Sequence, residues 1–364
     1  MISVYIHIPF CTNICSYCDF SKMYYNKENV SKYLNSLEKE IKQRYNNELV
    51  KTIYIGGGTP SSLNIKELEK LFEIIKIFKL TDDCEFTIEA NVENLTLEKI
   101  KLFSANSIAR VSLGVQTFNS DNLKYLNRKH TKEEVYNVVN LLKQNNITNI
   151  NIDLIYGIDS DIEKVQKDID YFLELDIPHI SCYSLIIENN TVLNNNHTNY
   201  IDEDIEYEMY KYIEKELEKH NYIHYEISNY AKEGYYSKHN LVYWNNDDYY
   251  GFGLSSVSYV NNKRITNTKN YTKYINGEYL YTSCYEDEFT KMDNEIMLGL
   301  RKIKGINLID FKNKYHKSLE EVYDIKELLE NNYLIKKDNY LSINKEYIYL
   351  SNEILLKIER RIWI

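Results

Sequence analysis

The stretch "VYIHIPFCTNICSYCDF" (residues 4–20) joins a strand pattern directly to three cysteines. A loop that follows a parallel strand lies at the carboxyl edge of the sheet, so we expect the cysteines there. Cys11, Cys15 and Cys18 have the spacing C-x3-C-x2-C, and no fourth cysteine follows nearby. Thiolates are soft ligands that suit iron–sulfur clusters and zinc. On spacing alone two interpretations stay open. One is a [4Fe–4S] cluster with an iron that lacks a protein ligand, and the other is a zinc site completed by a distant residue.

Strand and helix patterns alternate from this stretch onward. Six strand patterns precede helical patterns, at residues 2–8, 51–58, 85–91, 110–116, 149–157 and 179–187. The alternation predicts a parallel sheet with right-handed crossovers. Six units are fewer than the eight of a closed (β/α) barrel, so an open partial barrel and a doubly wound sheet are the candidate architectures. The helical pattern after the fourth strand runs over residues 119–146.

Composition excludes several classes of protein. The 364 residues include 44 basic and 54 acidic side chains, and the net charge of −10 argues against nucleic acid as the main partner. No stretch of 18 apolar residues occurs, so we do not expect an integral membrane protein. The chain begins with a strand pattern and not with a cleavable signal. Clustered thiols then favour a metal site in the reducing cytoplasm.

Further polar residues interrupt otherwise apolar strands. The sequence "GGGTP" (56–60) ends the second strand, and consecutive glycines let a ligand approach the backbone closely. Glu89, Gln116 and Asp153 each lie in the carboxyl-terminal half of a strand, and a buried carboxylate is costly unless it is paired. Arg128 is a candidate partner for a ligand's carboxylate. Together these residues predict a polar ligand at one edge of the sheet.

In this order and spacing, the motifs are similar to those of a known family. The cysteine loop, "GGGTP", "EAN" (89–91), "SLGVQTFN" (112–119) and "NIDLIYG" (151–157) resemble radical S-adenosylmethionine (SAM) proteins of the oxygen-independent coproporphyrinogen III oxidase group. The resemblance covers nearly the whole chain and is greatest to the heme chaperone branch. It implies an α/β fold, an open parallel (β/α)6 barrel with a smaller, mostly helical carboxyl-terminal domain.

The resemblance also implies two cofactors and the residues that bind them. Cys11, Cys15 and Cys18 would hold a [4Fe–4S] cluster whose open iron binds SAM. The positions that match the family's SAM-binding residues are Tyr5, Gly57, Gly58, Thr59, Glu89, Gln116, Arg128 and Asp153.

Two departures from the decarboxylating enzymes of the group favour the chaperone branch. Those enzymes carry a further cysteine two residues after the third, where this chain has Phe20. They also carry an extension before the cluster strand, whereas four residues precede Tyr5 here. We therefore predict a chaperone, with oxygen-independent coproporphyrinogen III oxidase as the alternative. Whether SAM is cleaved or only bound stays open at this stage.

The heme chaperone branch implies heme as a ligand and membrane-bound respiratory hemoproteins as its acceptors. His239, in "HNLVYW" (239–244), matches the suspected heme ligand, since neutral imidazole is a common axial ligand of heme iron. The alternative for this residue is a histidine that only forms hydrogen bonds within a loop. Val257 stands where relatives commonly carry His, which removes one conceivable contact.

Three regions are predicted along the chain. Residues 1–222 form the radical SAM core, and residues 223–285 form an irregular aromatic segment that contains the "HNLVYW" motif. Residues 286–364 form a helical carboxyl-terminal domain, in which residues 331–351 have the pattern of a small hairpin.

Overall fold

The computed structural model describes residues 1–196 and 198–361. Its strands in chain order are β1 (Ile2–Ile8), β2 (Phe10–Cys11), β3 (Met23–Tyr24), β4 (Leu49–Gly57), β5 (Lys79–Asn91), β6 (Arg110–Gln116), β7 (Asn149–Tyr156), β8 (His179–Ser184), β9 (Ile223–Glu226), β10 (Asn229–Ala231), β11 (Tyr249–Phe252), β12 (Val257–Val260), β13 (Lys263–Asn267), β14 (Leu280–Tyr285), β15 (Ile306–Asn307), β16 (Tyr323–Asp324), β17 (Leu334–Lys337), β18 (Tyr340–Ile343) and β19 (Glu359–Arg360).

The helices pack against these strands and between them. In chain order they are α1 (Lys27–Arg44), α2 (Ile65–Ile75), α3 (Leu97–Ala105), α4 (Ser120–Tyr125), α5 (Lys132–Gln144), α6 (Ile162–Glu174), α7 (Val192–Asn195), α8 (Glu203–Lys219), α9 (Lys238–Trp244), α10 (Tyr271–Ile275), α11 (Glu288–Gly299), α12 (Leu308–Tyr315), α13 (Leu319–Val322), α14 (Lys326–Glu330) and α15 (Ser351–Leu356). None of the described helices combines the length and apolar character that crossing a bilayer requires.

The main sheet is an open partial barrel. Its strand order is β14-β13-β12-β11-β1-β4-β5-β6-β7-β8-β10-β9, and the run from β1 to β8 is parallel throughout. These six strands follow one another in sequence order. A doubly wound sheet would reverse its order at a switch point, so that alternative is wrong and the predicted partial barrel is confirmed.

Local sequence signals set the ends of the helices that surround this barrel. Helix α2 begins with a capping box, in which Asn64 and Glu67 each bond the other's backbone N–H. Its buried residues Leu68, Leu71 and Phe72 recur at helical spacing and pack into the main core. The capping box therefore sets where the helix starts, and the amphipathic pattern sets which face covers the sheet.

The helical pattern over residues 119–146 forms two helices, α4 and α5. The chain turns at Asn127, whose φ of 56° lies in the left-handed region that Asn tolerates better than most residues. The Arg128 N–H then bonds to the Leu123 carbonyl over 2.7 Å, which closes the end of α4. This break brings Arg128 to the carboxyl edge of the barrel.

The prediction of an irregular segment at 223–285 is wrong. Strands β9 and β10 extend the sheet beyond β8, and strands β11 to β14 extend it beyond β1. Aromatic and β-branched residues favour strands, and the polar residues between them form turns. At the β12–β13 turn, Asn261 and Asn262 have φ of 52° and 61°, as a tight type I′ hairpin requires.

The carboxyl-terminal region has a hydrophobic core of its own, built from residues between Met292 and Ile354. Its predicted hairpin is confirmed as β17 and β18, with Asp338 and Asn339 at positive φ in the turn. Residues 362–364 of the predicted domain lie outside the described residues.

Candidate functional site

One cavity of about 460 Å³ opens at the carboxyl edge of the parallel strands. It brings together ten of the twelve residues that the sequence singled out. Those ten are Cys11, Cys15, Cys18, Gly57, Gly58, Thr59, Glu89, Gln116, Arg128 and Asp153. Residues far apart in sequence therefore share one site because successive parallel strands end at the same edge.

The cysteine loop is held at both ends by backbone contacts. Cys11 ends β2, and its carbonyl accepts the Tyr25 N–H over 2.8 Å. In the middle of the loop, Ser16 donates from its N–H to Leu126 and from its hydroxyl to Tyr125, over 3.2 and 2.8 Å. The loop is thus fastened to the end of α4 and presents its three thiols to the cavity.

A chain of hydrogen bonds connects two of the cysteine sulfurs. The Thr59 hydroxyl donates to Cys11 Sγ over 3.5 Å and accepts from the Asn91 amide over 3.2 Å. The Asn91 Oδ1 accepts from Arg128, whose Nη1 also lies 3.8 Å from Cys15 Sγ. Asn91 belongs to the "EAN" motif but was not predicted as a site residue.

Glycines are required where β4 meets the cysteine loop. A Cβ on Gly57 would lie 2.5 Å from the His7 ring, and φ at this residue is 114°. A Cβ on Gly58 would lie 3.0 Å from Cys11 Sγ and 2.8 Å from the Pro9 backbone. The side-chain-free backbone therefore lets the strand end lie directly beneath the cysteines.

Two half-buried carboxyl groups lie on the wall of the cavity. Glu89 accepts from the Tyr54 hydroxyl over 2.8 Å and from the Gly57 N–H over 3.0 Å. Asp153 accepts from the Asn151 amide over 2.8 Å. Burial raises the pKa of Glu89 to about 7 and raises the pKa of Asp153 above its usual range. Both groups consequently keep a proton more readily than surface carboxylates do.

Tyr5 is not among the residues that line the cavity. Its hydroxyl donates to Nδ1 of His7 over 3.0 Å, because Nε2 of that ring donates to the Ser21 carbonyl over 2.8 Å. Burial lowers the pKa of His7 to about 4, so the ring is neutral. Tyr5 thus acts on the site through His7, which fastens the far end of the cysteine loop.

His239 also lies outside the cavity, on α9 and behind Tyr54. Its Nδ1 lies 2.7 Å from the Thr52 hydroxyl and its Nε2 lies 2.9 Å from the Tyr243 hydroxyl, so both ring nitrogens are engaged. The ring stacks on Tyr54 at 5.1 Å, and burial lowers its pKa to about 3. Val257, at the start of β12, is not among the cavity residues either.

Comparison with known proteins places this geometry in a family. The radical SAM superfamily model matches residues 5–172, and the HemN carboxyl-terminal domain model matches residues 290–350. The chain is 38% identical to the heme chaperone HemW of Lactococcus lactis, over 98% of this chain and 96% of that protein. It is 35% identical to the heme chaperone HemW of Bacillus subtilis, over 97% of this chain and 98% of that protein. The chain belongs to the HemW family.

A solved structure supports the fold of this HemW family member. Coproporphyrinogen III oxidase (HemN) from Escherichia coli, described as a radical SAM enzyme, superposes with a TM-score of 0.85. The match covers 98% of this chain and 89% of that one at 19% sequence identity. At that identity the similarity establishes the shared architecture.

The donor set fits the iron–sulfur cluster that the family implies. Burial raises the pKa of Cys11 to about 11, so this thiol loses its proton when a metal compensates the charge. All six cysteines are unpaired. Within residues 1–196 and 198–361, no three His, Cys, Asp or Glu side chains converge as ligands of a single ion. Thiols that bind different irons of one cluster need not converge on a point.

Several cavity residues of this HemW family member were missed from the sequence. All of them face the barrel interior, and those that share a strand are two positions apart. They are Arg110 and Ser112 on β6, Asn151 on β7, and Ser181 and Tyr183 on β8. The available signal was the alternation of polar and apolar residues within "RVSLGVQ" and "NINIDLIYG". That alternation indicates a strand with one polar face, which in a barrel is the interior.

Proposed function

We propose that this protein is a heme chaperone that binds a [4Fe–4S] cluster, SAM and heme in the cavity at the carboxyl edge of its barrel. The observation that carries the proposal is the combination of the cysteine site with an apolar opening. Phe20 and Ile186 both line the cavity and are 64% and 60% exposed, so they lie at its mouth. Large exposed apolar side chains beside a cavity mark a surface for an apolar ligand. The HemW names of the full-length relatives support heme as that ligand.

The cofactor residues divide by chemistry. Cys11, Cys15 and Cys18 hold the cluster. The proposed SAM-binding residues are the family positions Tyr5, Gly57, Gly58, Thr59, Glu89, Gln116, Arg128 and Asp153, of which Tyr5 acts through His7. When bound, these cofactors supply one-electron chemistry, while the protein supplies orientation and excludes water. The chain's own contribution is a rigid loop, a close glycine backbone and half-buried carboxyl groups that accept hydrogen bonds.

The proposed heme contact at the mouth of the cavity is Phe20. This residue replaces the fourth cysteine of the decarboxylating enzymes and offers the macrocycle a ring on which to stack. Removal of the ring in Phe20→Ala should reduce heme affinity by about tenfold to a hundredfold, because covering a phenyl group contributes about 1.5–3 kcal/mol. Tyr24→Ala is the matched control, since Tyr24 is 66% exposed and is not a cavity residue.

The test is an anaerobic titration of the reconstituted protein with ferric heme, followed by absorbance. Equal heme affinities for the wild type, Phe20→Ala and Tyr24→Ala proteins would remove the proposed contact. A parallel incubation with coproporphyrinogen III, SAM and a reductant separates the alternative function. Protoporphyrinogen formation in that incubation would assign the protein to the oxidase reaction instead.

His239 remains our proposed iron ligand. Its low pKa keeps the imidazole neutral, as iron binding requires, but ligation needs its Nε2 contact with Tyr243 to open and Tyr54 to move. The heme-bound protein should therefore show a shifted Soret band in His239→Ala. Identical Soret spectra for the wild type and this variant would assign His239 a purely structural role behind Tyr54.

The remaining features of the proposal concern where the protein works. Six unpaired cysteines are typical of a reducing compartment, which supports the cytoplasm. Membrane-bound respiratory hemoproteins are the proposed acceptors of the bound heme.

A further inference from the structure

The cavity contains a buried cation that forms no ion pair within the described residues. Arg110, at the start of β6, is 2% exposed and lines the cavity. The arginines that form ion pairs in the described part of the chain are Arg44, Arg128, Arg264, Arg360 and Arg361. Arg110 is absent from that set, and its Nε has no hydrogen-bond acceptor among the described residues.

Within the described residues, the guanidinium group of Arg110 has one short polar contact, with His179. Its Nη2 lies 3.4 Å from Nδ1 of that ring, and the other hydrogen bonds of the ring assign a proton to this nitrogen. The Asn151 amide group donates to Asp153, so its oxygen faces the His179 Nδ1 at 2.6 Å and accepts from it. Nε2 of the same ring accepts from the Tyr225 hydroxyl over 2.8 Å. A neutral ring with its proton on Nδ1 satisfies both contacts and leaves no acceptor for Arg110.

The nearby carboxyl groups of Glu89 and Asp153 attract Arg110, but among the described residues neither lies within ion-pair distance of it. Glu89 is bonded to Tyr54 and to the Gly57 N–H, and Asp153 is bonded to Asn151. Burial raises the pKa of both acids, which reduces the negative charge that they carry. A guanidinium group cannot lose its proton, and a buried charge is costly unless it is paired. The cavity therefore offers an anion a buried, planar guanidinium group.

We propose that Arg110 binds a propionate carboxylate of the tetrapyrrole ligand, an assignment that rests on the heme chaperone function proposed above. Arginine matches carboxylates in bidentate geometry. The carboxylate of SAM is the other possible source. The cysteine site, however, lies at the other end of β6, where the Gly114 carbonyl accepts from Arg128 over 2.7 Å. The α-carbons of Arg110 and Gly114 are roughly 13 Å apart along the strand.

The lining of the cavity gives the ligand an orientation. Its inner wall is polar, with Ser112 on the same strand as Arg110, Asn151 on the adjacent β7 and Ser181 on β8. Its mouth is apolar, at Phe20 and Ile186. Heme has a propionate edge and an apolar edge, so it enters with the propionates leading and leaves its apolar edge at the mouth.

The experiment compares ferric heme with heme dimethyl ester, in which both propionates are blocked. We expect the reconstituted wild type to bind heme about tenfold or more tightly than the ester, because hydrogen bonds to charged groups are the strong ones. Arg110→Met should bind the two equally, and Arg110→Lys should retain part of the preference. Arg264→Met is the control, since Arg264 pairs with Glu286 outside the cavity, and it should keep the full preference.

The outcomes separate the propionate assignment from the proposed function. Wild type that binds heme and its ester equally overturns the assignment and leaves the chaperone function intact. Wild type that binds neither overturns both. A second arm measures SAM against decarboxylated SAM. If Arg110→Met loses a preference for SAM over decarboxylated SAM but keeps the preference for heme over its ester, Arg110 binds the carboxylate of SAM. The propionate assignment is then wrong. Should Arg110→Met fail to fold, the comparison of ligands on the wild type and Arg110→Lys still decides.

Discussion

At the scale of single residues, the cysteine site depends on one buried arginine. Arg128 is 5% exposed and donates to Asn91, to the Gly114 carbonyl and to Glu93, over 3.0, 2.7 and 3.1 Å. Burial opposes the charge on Glu93, but His130 and Arg128 hold the pKa of that carboxyl at about 2. The arginine therefore joins the ends of β5 and β6 to the cysteine loop.

Replacement of this arginine should destabilise the whole site. Arg128→Met leaves the Gly114 carbonyl and Asn91 Oδ1 without their donor, and a buried acceptor that loses its partner costs about 1–3 kcal/mol. Urea unfolding of the cluster-free protein measures the change in free energy. Arg361→Met is the control, because its ion pair with Asp324 is exposed on both sides and should contribute about 1 kcal/mol or less. Equal losses in both variants would contradict the importance of Arg128.

Single residues were predictable from the sequence where chemistry and position coincide. Three clustered thiols and a lone carboxylate near a strand end are unusual enough to mark a site, as Cys11 and Glu89 show. Arg110 gave no such signal, because an arginine at the start of a strand is ordinarily a surface residue. Its burial depends on the barrel curving around it, which no local pattern reports.

At the scale of elements, the end of β4 determines how closely the barrel approaches the cysteine loop. Gly57 combines a φ of 114° with contact to the His7 ring, and Gly58 lies against Cys11. Gly234 offers a comparison within the same chain. Its φ is 86°, but a Cβ there would meet no atom within 4 Å.

Alanine substitutions at Gly57 and Gly234 distinguish the effect of backbone strain from that of a steric clash with the new methyl group. Gly57→Ala should lose most of the bound iron after reconstitution, because the new methyl group displaces His7 and the loop end that His7 holds at Ser21. Gly234→Ala carries only the backbone cost of positive φ, of order 1–2 kcal/mol, and should reconstitute fully. The measurement is the iron content per chain of both variants after reconstitution. Full reconstitution of Gly57→Ala would show that the close approach is dispensable.

The predicted elements were most accurate where a pattern is strong and local. The six parallel strands and the β17–β18 hairpin follow from alternation and from turn residues. The break at Asn127 was missed because the residues on both sides favour helix, and the left-handed turn is stabilised by its contacts with the cysteine loop. Asn127 donates to the Ile14 carbonyl over 2.7 Å.

At the scale of the whole molecule, two hydrophobic cores meet at a polar junction. The Ile303 N–H donates to the Tyr225 carbonyl over 3.1 Å, and Glu226 pairs with Lys302 as an isolated β-bridge. Glu226 is 1% exposed, and burial raises its pKa to about 7 although it bonds to Asn229. The junction therefore contains a carboxyl group that resists ionisation.

This group should make stability depend on pH. In the folded protein the pKa of Glu226 is about 7, above the ordinary value of 4.5. The contribution of this carboxyl group to the free energy of unfolding is therefore fully present below pH 4.5 and is lost as the pH rises through 7. Glu226→Gln removes the titration and should be more stable than the wild type at pH 8 by up to about 3 kcal/mol. The difference should shrink as the pH falls to 5. A difference that stays constant in chemical denaturation from pH 5 to 8 would contradict a buried, titrating Glu226.

The proposed function depends above all on Cys11, Cys15 and Cys18 holding an iron–sulfur cluster with one iron open to SAM. The most direct measurement is the electron paramagnetic resonance spectrum of the anaerobically reconstituted, reduced protein, recorded with and without SAM. We expect about four irons per chain, a cluster signal that changes when SAM is added, and no signal in Cys15→Ala. Stoichiometric zinc in anaerobically purified protein, or a cluster signal that SAM leaves unchanged, would contradict that expectation.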